Sequence, residues 1–309
     1  MNSNNSAAWT QAPERGSHFL MRVMVWLSLR LGRRVSRGVL HLVAVYFLLF
    51  SPKVRVASRA YLRRALGRPA GWRDSYRQFF AFASTIHDRI FFAQGRFDLF
   101  TFSYHGEAVL EPILTMGQGM FLVGAHLGSF EALHAMAHDH AKLRAIMVMH
   151  EENANKINGL LRHINPHLVL DVIALGHVDS MIKVAERLAE GCVIGLLADR
   201  TPVLETMQPV QLLGAQALLP TGPFRMAALL KRPVLFMTGL YMGGNHYAIH
   251  FETLADFTHI GRGQRAAAIE SAIQRYAALV EQYCRKAPYN WFNFFDFWQA
   301  ATPPTHTSS

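Results

Sequence analysis

The run GAHLGSFE at residues 124–131 places a histidine between two glycines and a glutamate five positions after it. His126 follows an apolar stretch, so its imidazole needs a polar partner once the chain folds. A carboxylate that accepts one imidazole N–H fixes the tautomer and leaves the other nitrogen a better base. The spacing therefore predicts that His126 is a general base and that Glu131 orients it.

The smaller residues of this run have predicted roles of their own. Ser129 is expected to begin a helix, which would place His126 in a strand-to-helix loop, where α/β sheets bind ligands. Gly124 and Gly128 would leave room for a substrate, and the Gly128 N–H and its neighbours would stabilise an oxyanion. Because no Ser or Cys is placed as in a GxSxG motif, a hydroxyl of a bound substrate would attack directly.

Two other interpretations of His126 stay open on spacing alone. In the first, His126 and Glu131 form a structural pair that only closes a loop. In the second, His126 belongs to a metal site with the histidines that follow it: His134, His138 and His140. The stretch has no HExxH motif and no cysteine, so metal binding is the less favoured of the two.

Alternating patterns predict the elements that position this loop. Short apolar runs alternate with helical stretches after residue 90, which favours an α/β fold with a mostly parallel sheet. Gly243-Gly244-Asn245 predicts a hairpin between the last two strands, which would make that edge of the sheet antiparallel. The predicted strands are 119–125, 143–149, 168–175, 192–198, 233–242 and 246–254. The predicted helices are 129–139, 152–163, 178–190, 222–231 and 264–286.

The N-terminal part of the chain is basic and apolar at once. The net charge is +10, and residues 1–70 hold twelve Lys and Arg against one acid. Residues 17–90 are predicted to be helical, with breaks at Ser51-Pro52 and Gly67–Gly71. Their apolar runs fall short of the ~18–20 residues of a spanning helix, which favours helices lying in a membrane interface. A packed helix with a solvated basic face and a nucleic-acid patch are the alternatives.

The predicted organisation is a single α/β domain with an N-terminal appendage. Residues 1–16 and 299–309 would be disordered tails, residues 17–90 a membrane-associating helical segment, and residues 91–298 the α/β domain. The two cysteines are far apart and indicate neither a disulfide framework nor a metal motif. No cleavable signal peptide is recognisable.

Several ordered blocks resemble a known family. LVGAHLGSFE resembles the His-x4-Asp/Glu block of the lysophospholipid acyltransferase superfamily, in its branch of lipid A secondary acyltransferases. LLADRTP (196–202) is similar to the Asp-centred second block of that branch. Two longer segments, 210–237 and 280–295, resemble its Gly-led helix and its C-terminal helix with Pro and Trp. The N-terminal blocks look like those of the stand-alone acyltransferases of aryl-polyene-type pathways.

The resemblance implies transfer of a fatty acyl, or aryl-polyene-like acyl, group from a thioester to a hydroxyl of a lipid or glycolipid. The donor would be acyl carrier protein or a coenzyme A thioester, with no other cofactor, no metal and no nucleic acid. The enzyme would work at the cytoplasmic face of the bacterial inner membrane. His126 and Glu131 would be catalytic, and the implied substrate-binding residues are Gly128, Ser129, Asp199, Arg200, Gly222 and Arg225.

Arg200 would bind a phosphate or steady the oxyanion, with Asp199 orienting it; the alternative is an exposed Asp-Arg pair. Thr221 is expected to cap the helix that carries Arg225, and His87-Asp88-Arg89 would line the acceptor side or form a surface network. The lipid A enzymes usually have Gln where this chain has Arg200, so the acceptor stays open. Two other functions suit the same fold: a non-catalytic lipid- or carrier-binding protein, and a thioesterase that uses His126 on water.

Overall fold

A seven-stranded sheet lies at the centre of the computed structural model, which describes residues 18–133, 143–150, 172–175, 178–201 and 206–298. Its strands are β1 (Thr101–His105), β2 (Met120–Gly124), β3 (Ala145–His150), β4 (Val172–Leu175), β5 (Val193–Leu197), β8 (Pro233–Gly243) and β9 (His246–Asp256). Their order is β1-β9-β8-β2-β5-β3-β4, and every neighbouring pair except β8–β9 is parallel. The predicted α/β class with a mostly parallel sheet is confirmed.

The hairpin predicted at Gly243-Gly244-Asn245 joins β8 to β9 in antiparallel register, as expected. The prediction that this hairpin forms an edge of the sheet was wrong, because β1 lies outside β9 and pairs with it in parallel. The pattern did not predict β1, since Thr101–His105 mixes polar and aromatic residues over five positions. A second hairpin was also missed. It pairs β6 (Met207–Leu212) with β7 (Ala215–Pro220) outside the main sheet.

The helices surround the sheet. They are α1 (His18–Phe50), α2 (Pro52–Leu66), α3 (Trp72–Phe92), α4 (Glu107–Met116), α5 (Val178–Ala189), α6 (Gly222–Leu229) and α7 (Arg265–Lys286). Both predicted breaks near residue 51 and residues 67–71 are present, and α1 has a further kink at Gly32, where φ is 73°. The predicted helix 152–163 and most of 129–139 lie outside the described residues; residues 130–132 form a short 3-10 turn.

Alternate residues of β2 feed two hydrophobic clusters, one on each face of the sheet. Phe121 and Val123 pack in the cluster that contains Tyr61 of α2. Met120 and Leu122 pack in the cluster that contains Phe92 of α3. The N-terminal helices therefore share the buried core with the strands.

A buried ion pair attaches α1 to the rest of the fold. Arg33 donates two hydrogen bonds to Asp88, at 2.7 and 2.8 Å, and the Tyr247 hydroxyl donates a third at 2.8 Å. His87, also buried, shares a 2.7 Å hydrogen bond with Ser36. His87 and Asp88 thus tie α1 to α3 and β9, and the expectation that they line an acceptor site or lie in a surface network was wrong.

No single described helix is long and apolar enough to cross a membrane. Arg30–Phe50 and Pro52–Leu66 meet the length and composition requirement only as a pair, and that pair is bent by 97°.

Candidate active site

The loop of residues 125–129, which we call the His126 loop, lies between β8 and residues 289–298. We call residues 289–298 the C-terminal segment. Its main chain is held on both sides by hydrogen bonds: Ser129 N to Gly239 O (2.8 Å), Thr238 Oγ1 to Leu127 O (2.9 Å), Gly128 N to Asn290 O (2.8 Å) and Phe292 N to His126 O (2.8 Å). Backbone groups paired in this way hold a loop in one conformation. The main chain of His126 is therefore fixed before any ligand arrives.

The sheet register brings Asp199 to this loop. Gly124, the last residue of β2, pairs with Leu197, the last residue of β5. His126 and Asp199 each lie two residues beyond that pair, at the carboxyl ends of adjacent parallel strands. In α/β sheets this end of the strands forms the ligand-binding edge.

Asp199 makes two hydrogen bonds to His126. His126 Nδ1 lies 2.7 Å from Asp199 Oδ1, and the His126 main-chain N–H donates to Asp199 Oδ2 at 3.1 Å. Because the carboxylate only accepts, Nδ1 carries the proton and the lone pair is left on Nε2. The prediction that Glu131 is the partner of the imidazole was wrong, because the ring is hydrogen-bonded to Asp199.

Two residues of the C-terminal segment donate further hydrogen bonds to the Asp199 carboxylate. Trp291 Nε1 donates to Oδ2 at 3.1 Å, and Asn293 Nδ2 donates to the same oxygen at 2.7 Å. The Asp199 side chain is 1 % exposed, so these donors replace the water that an ionised carboxylate would otherwise need. The structure thus gives Asp199 three side-chain partners, His126, Trp291 and Asn293, while orientation of Arg200 by Asp199 stays a prediction.

The protonation states of this pair suit a base. Burial alone would raise the pKa of Asp199, but the charge and hydrogen bonds of His126, with the charge of Arg200, hold that pKa well below its usual range. Burial lowers the pKa of His126 below 6.5; Asp199 opposes this, while the charges of Arg200 and Arg89 add to it. At neutral pH the ring is neutral and the carboxylate ionised.

Glu131 faces α3 instead of the imidazole. Its carboxylate pairs with Arg89 Nε at 3.0 Å and accepts a 3.0 Å hydrogen bond from the Ser129 hydroxyl. Glu131 lies in the short 3-10 turn Phe130–Ala132 that follows the loop, and the cation on α3 pairs with its carboxylate there. Ser129 is fully buried, so it supports Glu131 and is not exposed to a substrate.

The two glycines make room for the protein itself. A Cβ on Gly124 would lie 2.8 Å from the Phe130 ring, and one on Gly128 would lie 2.1 Å from Gly239 O. Gly128 also has φ of 74°, where other residues are strained. Since the Gly128 N–H already donates to Asn290 O, the predicted oxyanion role for that group was wrong, and so was the idea that the glycines clear space for substrate.

Two cations flank the imidazole. Arg200 follows Asp199 directly and is half-buried, and burial lowers the pKa of its guanidinium while Asp199 opposes that shift. Arg89 reaches the site from α3 and is 37 % exposed at its side chain. The His126 side chain is itself 26 % exposed, so its free nitrogen is accessible beside two positive charges.

The remaining predicted residues are less closely connected to the loop. Thr221 occupies the N-cap position of α6, but its buried hydroxyl makes no capping hydrogen bond, so the capping prediction was wrong in that respect. Gly222 opens the same helix, and Arg225 is exposed on it. α6 reaches the site indirectly, since Phe224 packs on Tyr276, whose hydroxyl donates to Gly124 O at 2.8 Å. Substrate binding by Gly222 and Arg225 stays a prediction.

The histidines of the alternative metal site, His134, His138 and His140, lie outside the described residues. Across the part of the chain that the structure describes, no group of three or more His, Cys, Asp or Glu side chains is arranged to hold a metal ion.

Trp291 and Asn293 are the site residues that sequence reasoning missed. They lie in the aromatic run at 289–298, where a tryptophan among phenylalanines carries no signal of a hydrogen-bonding role. Two asparagines near Trp291 were an available polar signal. The Asn290 side chain bonds the main chain of Tyr241, and the Asn293 side chain donates to Asp199.

The chain matches the family of bacterial lipid A biosynthesis acyltransferases over residues 7–300. The chain belongs to this family. Membership assigns it an acyltransferase role in lipid biosynthesis, and it confirms the resemblance of the sequence blocks at the level of the family. The search of curated proteins found no match.

Proposed function

We propose that this chain transfers an acyl group from a thioester to a hydroxyl of a lipid or glycolipid, with His126 as general base. The hydrogen bond between His126 Nδ1 and Asp199 carries the proposal, because it leaves Nε2 free to accept a proton. Asp199 orients the ring and stabilises the cation that forms on it. Family membership indicates the reaction class, and the His126–Asp199 pair provides the general base for it.

The reaction proceeds in two steps at one site. Nε2 of His126 takes the proton from the acceptor hydroxyl, and the oxygen attacks the thioester carbonyl to form a tetrahedral oxyanion. That intermediate then expels the thiolate, which takes the proton from the imidazolium and leaves as the free thiol. We propose that Arg200, whose charge acts on the imidazole, stabilises the oxyanion or binds a phosphate of a substrate.

The donor we propose is an acyl-carrier-protein thioester, with coenzyme A as the alternative carrier. Neither requires a metal or a further cofactor for the transfer. Whether the acyl chain is an ordinary fatty acid or an aryl-polyene-like acid stays a prediction from the finer resemblance.

We place the reaction at the cytoplasmic face of the inner membrane. α1 exposes a run of large apolar side chains, among them Leu42 at 71 %, Leu49 at 54 % and Phe50 at 60 % exposure, with Trp26 and Tyr46 on the same helix. Apolar side chains with arginines between them are typical of a helix that lies in a membrane interface. Leu42→Glu/Leu49→Glu should reduce sedimentation with anionic vesicles, and unchanged sedimentation would contradict this placement.

The proposed activity is tested by release of free thiol from acyl-carrier-protein and acyl-coenzyme A thioesters. Wild type and His126→Ala are compared with and without total bacterial lipid. Lipid-dependent release that the variant lacks, with an acylated lipid found by mass spectrometry, supports acyl transfer. Free fatty acid as the product would indicate a thioesterase, and lipid binding without turnover would indicate a binding protein. Full activity of His126→Ala would exclude His126 as the base.

A further inference from the structure

The corner between α2 and α3 is a strongly basic surface. Residues 52–77 carry eight Lys and Arg and a single carboxylate, Asp74. Arg68 engages that carboxylate through two hydrogen bonds of 2.9 Å, and these bonds hold the pKa of Asp74 well below its usual range. The one acid is thus neutralised inside the corner. We call residues 52–77 the arginine corner.

Aromatic rings organise the cations of the arginine corner. The guanidinium groups of Arg55 and Arg59 lie 4.6 and 4.8 Å from the centroid of the Trp72 ring, which is itself half-exposed. Arg77 lies 5.6 Å from the centroid of Tyr289. Stacking of this kind restricts long side chains, so the positive charge keeps a fixed arrangement.

The surface here is concave. One depression of about 320 Å³ is lined by Arg59 and Arg63, and a neighbouring one of about 510 Å³ is lined by Trp72, Arg73 and Arg77. Both open around the turn that joins α2 to α3. Concave cationic depressions suit the protruding acidic side chains of a folded partner.

The arginine corner differs from the apolar surface of α1. Most of the large apolar side chains that are exposed on the three N-terminal helices lie on α1, whereas the depressions at the corner bring together five arginines: Arg59, Arg63, Arg68, Arg73 and Arg77. A membrane-inserting surface needs apolar side chains between its cations. The corner exposes only Val56 and Trp72 as large apolar side chains among its eight Lys and Arg, and charge complementarity therefore favours an acidic protein as its occupant.

The corner connects to the candidate active site through few residues. Tyr61 of α2 packs edge-on against Trp291, with ring centroids 4.9 Å apart, and Trp291 donates to Asp199. Tyr289, which stacks under Arg77, immediately precedes Asn290, the residue that accepts from Gly128. The C-terminal segment therefore contacts both the arginine corner and the His126 loop.

We propose that the arginine corner docks the acidic carrier protein that presents the acyl thioester to His126. This inference rests on the proposed function, since it assumes a carrier-borne donor. Positive potential at the corner would speed encounter with the acidic carrier and lower its apparent KM, and the effect should weaken with added salt.

The test is a charge reversal with a matched control. Arg63→Glu/Arg73→Glu changes one exposed cation in each depression, while Lys183→Glu/Arg275→Glu makes the same change in charge on α5 and α7. Each is assayed with an acyl group on carrier protein and with the same acyl group on N-acetylcysteamine, a thioester without a protein. Binding of holo carrier protein is measured by fluorescence anisotropy.

We expect the corner variant to lose at least about tenfold in kcat/KM for the carrier-borne donor relative to the small thioester, with a parallel loss of carrier binding. The control variant should keep both. Unchanged use of the carrier-borne donor, or an equal loss with both donors, overturns the inference. So does loss of binding to phosphatidylglycerol vesicles with carrier binding intact, which would assign the corner to the membrane.

Failure of the proposed function would show separately. If wild type used neither donor, the acyltransferase proposal would fail, and the anisotropy measurement would still decide the docking surface. Carrier binding that the corner variant loses would support docking, and no binding by wild type would overturn it.

Discussion

Nδ1 of His126 lies 2.7 Å from Oδ1 of Asp199, although the two residues are 73 positions apart in the chain. Each stands two residues past the end of its strand, and the two strands are parallel neighbours. Glu131, only five positions from His126, lies instead against Arg89. The partner of the base is thus set by the order of strands in the sheet.

Asp199→Asn should abolish most of the activity. An amide in place of the carboxylate can donate to Nδ1, which favours the tautomer with the proton on Nε2 and removes the base. By analogy with other His–Asp pairs the loss in kcat is on the order of 10³–10⁴-fold. It should persist at every pH, as a pH–rate profile with single-turnover thiol release would show. A loss of less than tenfold would contradict the assigned role.

The activity should depend on neutral His126. Because burial lowers the pKa of the imidazole, the acid limb of kcat/KM should have its midpoint below pH 6.5. Arg89 adds to that lowering, so Arg89→Gln should raise the pKa of His126 and move the limb to higher pH. Arg96→Gln, which breaks an exposed ion pair with Asp98, serves as the control and should leave the limb in place. A limb that did not move in Arg89→Gln would count against the electrostatic account.

Trp291 should position Asp199 through its indole N–H. Trp291→Phe keeps an aromatic ring against Tyr61 but removes one donor from the buried carboxylate, and we expect a fall in kcat of about tenfold. Trp298→Phe is a matched control, because it removes a buried indole donor that bonds Leu212 O. Equal losses of kcat in the two variants, measured at equal folded fraction, would mean that Trp291 acts through packing alone.

Gly128 should resist substitution for steric reasons. Gly128→Ala combines a positive φ with a Cβ placed 2.1 Å from Gly239 O, and should lower the free energy of unfolding by at least about 2 kcal/mol. Gly214→Ala has nearly the same φ, 75°, with no atom within 4 Å of the new Cβ. Urea denaturation of both variants separates the two effects. If the two variants were equally destabilised, backbone strain at a positive φ would be enough to explain the glycine at position 128, and the contact with Gly239 O would add nothing.

Local patterns in the sequence predicted much of the fold. Short apolar runs located β2, β5, β8 and β9, helical spacing located α5 and α7, and Pro52 and Gly67 marked helix ends. The weak strand β1 and the hairpin of β6 and β7 were missed because their residues alternate poorly and their turn lacks an Asn-Gly or Asp-Gly pair. What the sequence could not supply was strand order, which decides that β2 lies beside β5.

The same limit explains the site. His126 was found because a histidine after an apolar run needs a partner, whereas Asp199 was singled out only through the resemblance of LLADRTP to the second block of the family. Their pairing required the register of β2 and β5, which are neighbours in the sheet although β3 and β4 lie between them in the chain. Trp291 and Asn293 reach Asp199 only because the C-terminal segment runs along the His126 loop, and no spacing within 289–298 signals that path.

The most direct test of this account compares Asp199→Asn with Glu131→Gln. Both replace a carboxylate by an isosteric amide, one against His126 and the other against Arg89. Thiol release from one acyl-carrier-protein donor, with saturating lipid acceptor, is measured for both variants at the same pH. We predict that Asp199→Asn is nearly inactive, while Glu131→Gln retains at least about a tenth of wild-type kcat, consistent with an exposed ion pair. The reverse order would show that Glu131 supports the base and would contradict the central claim.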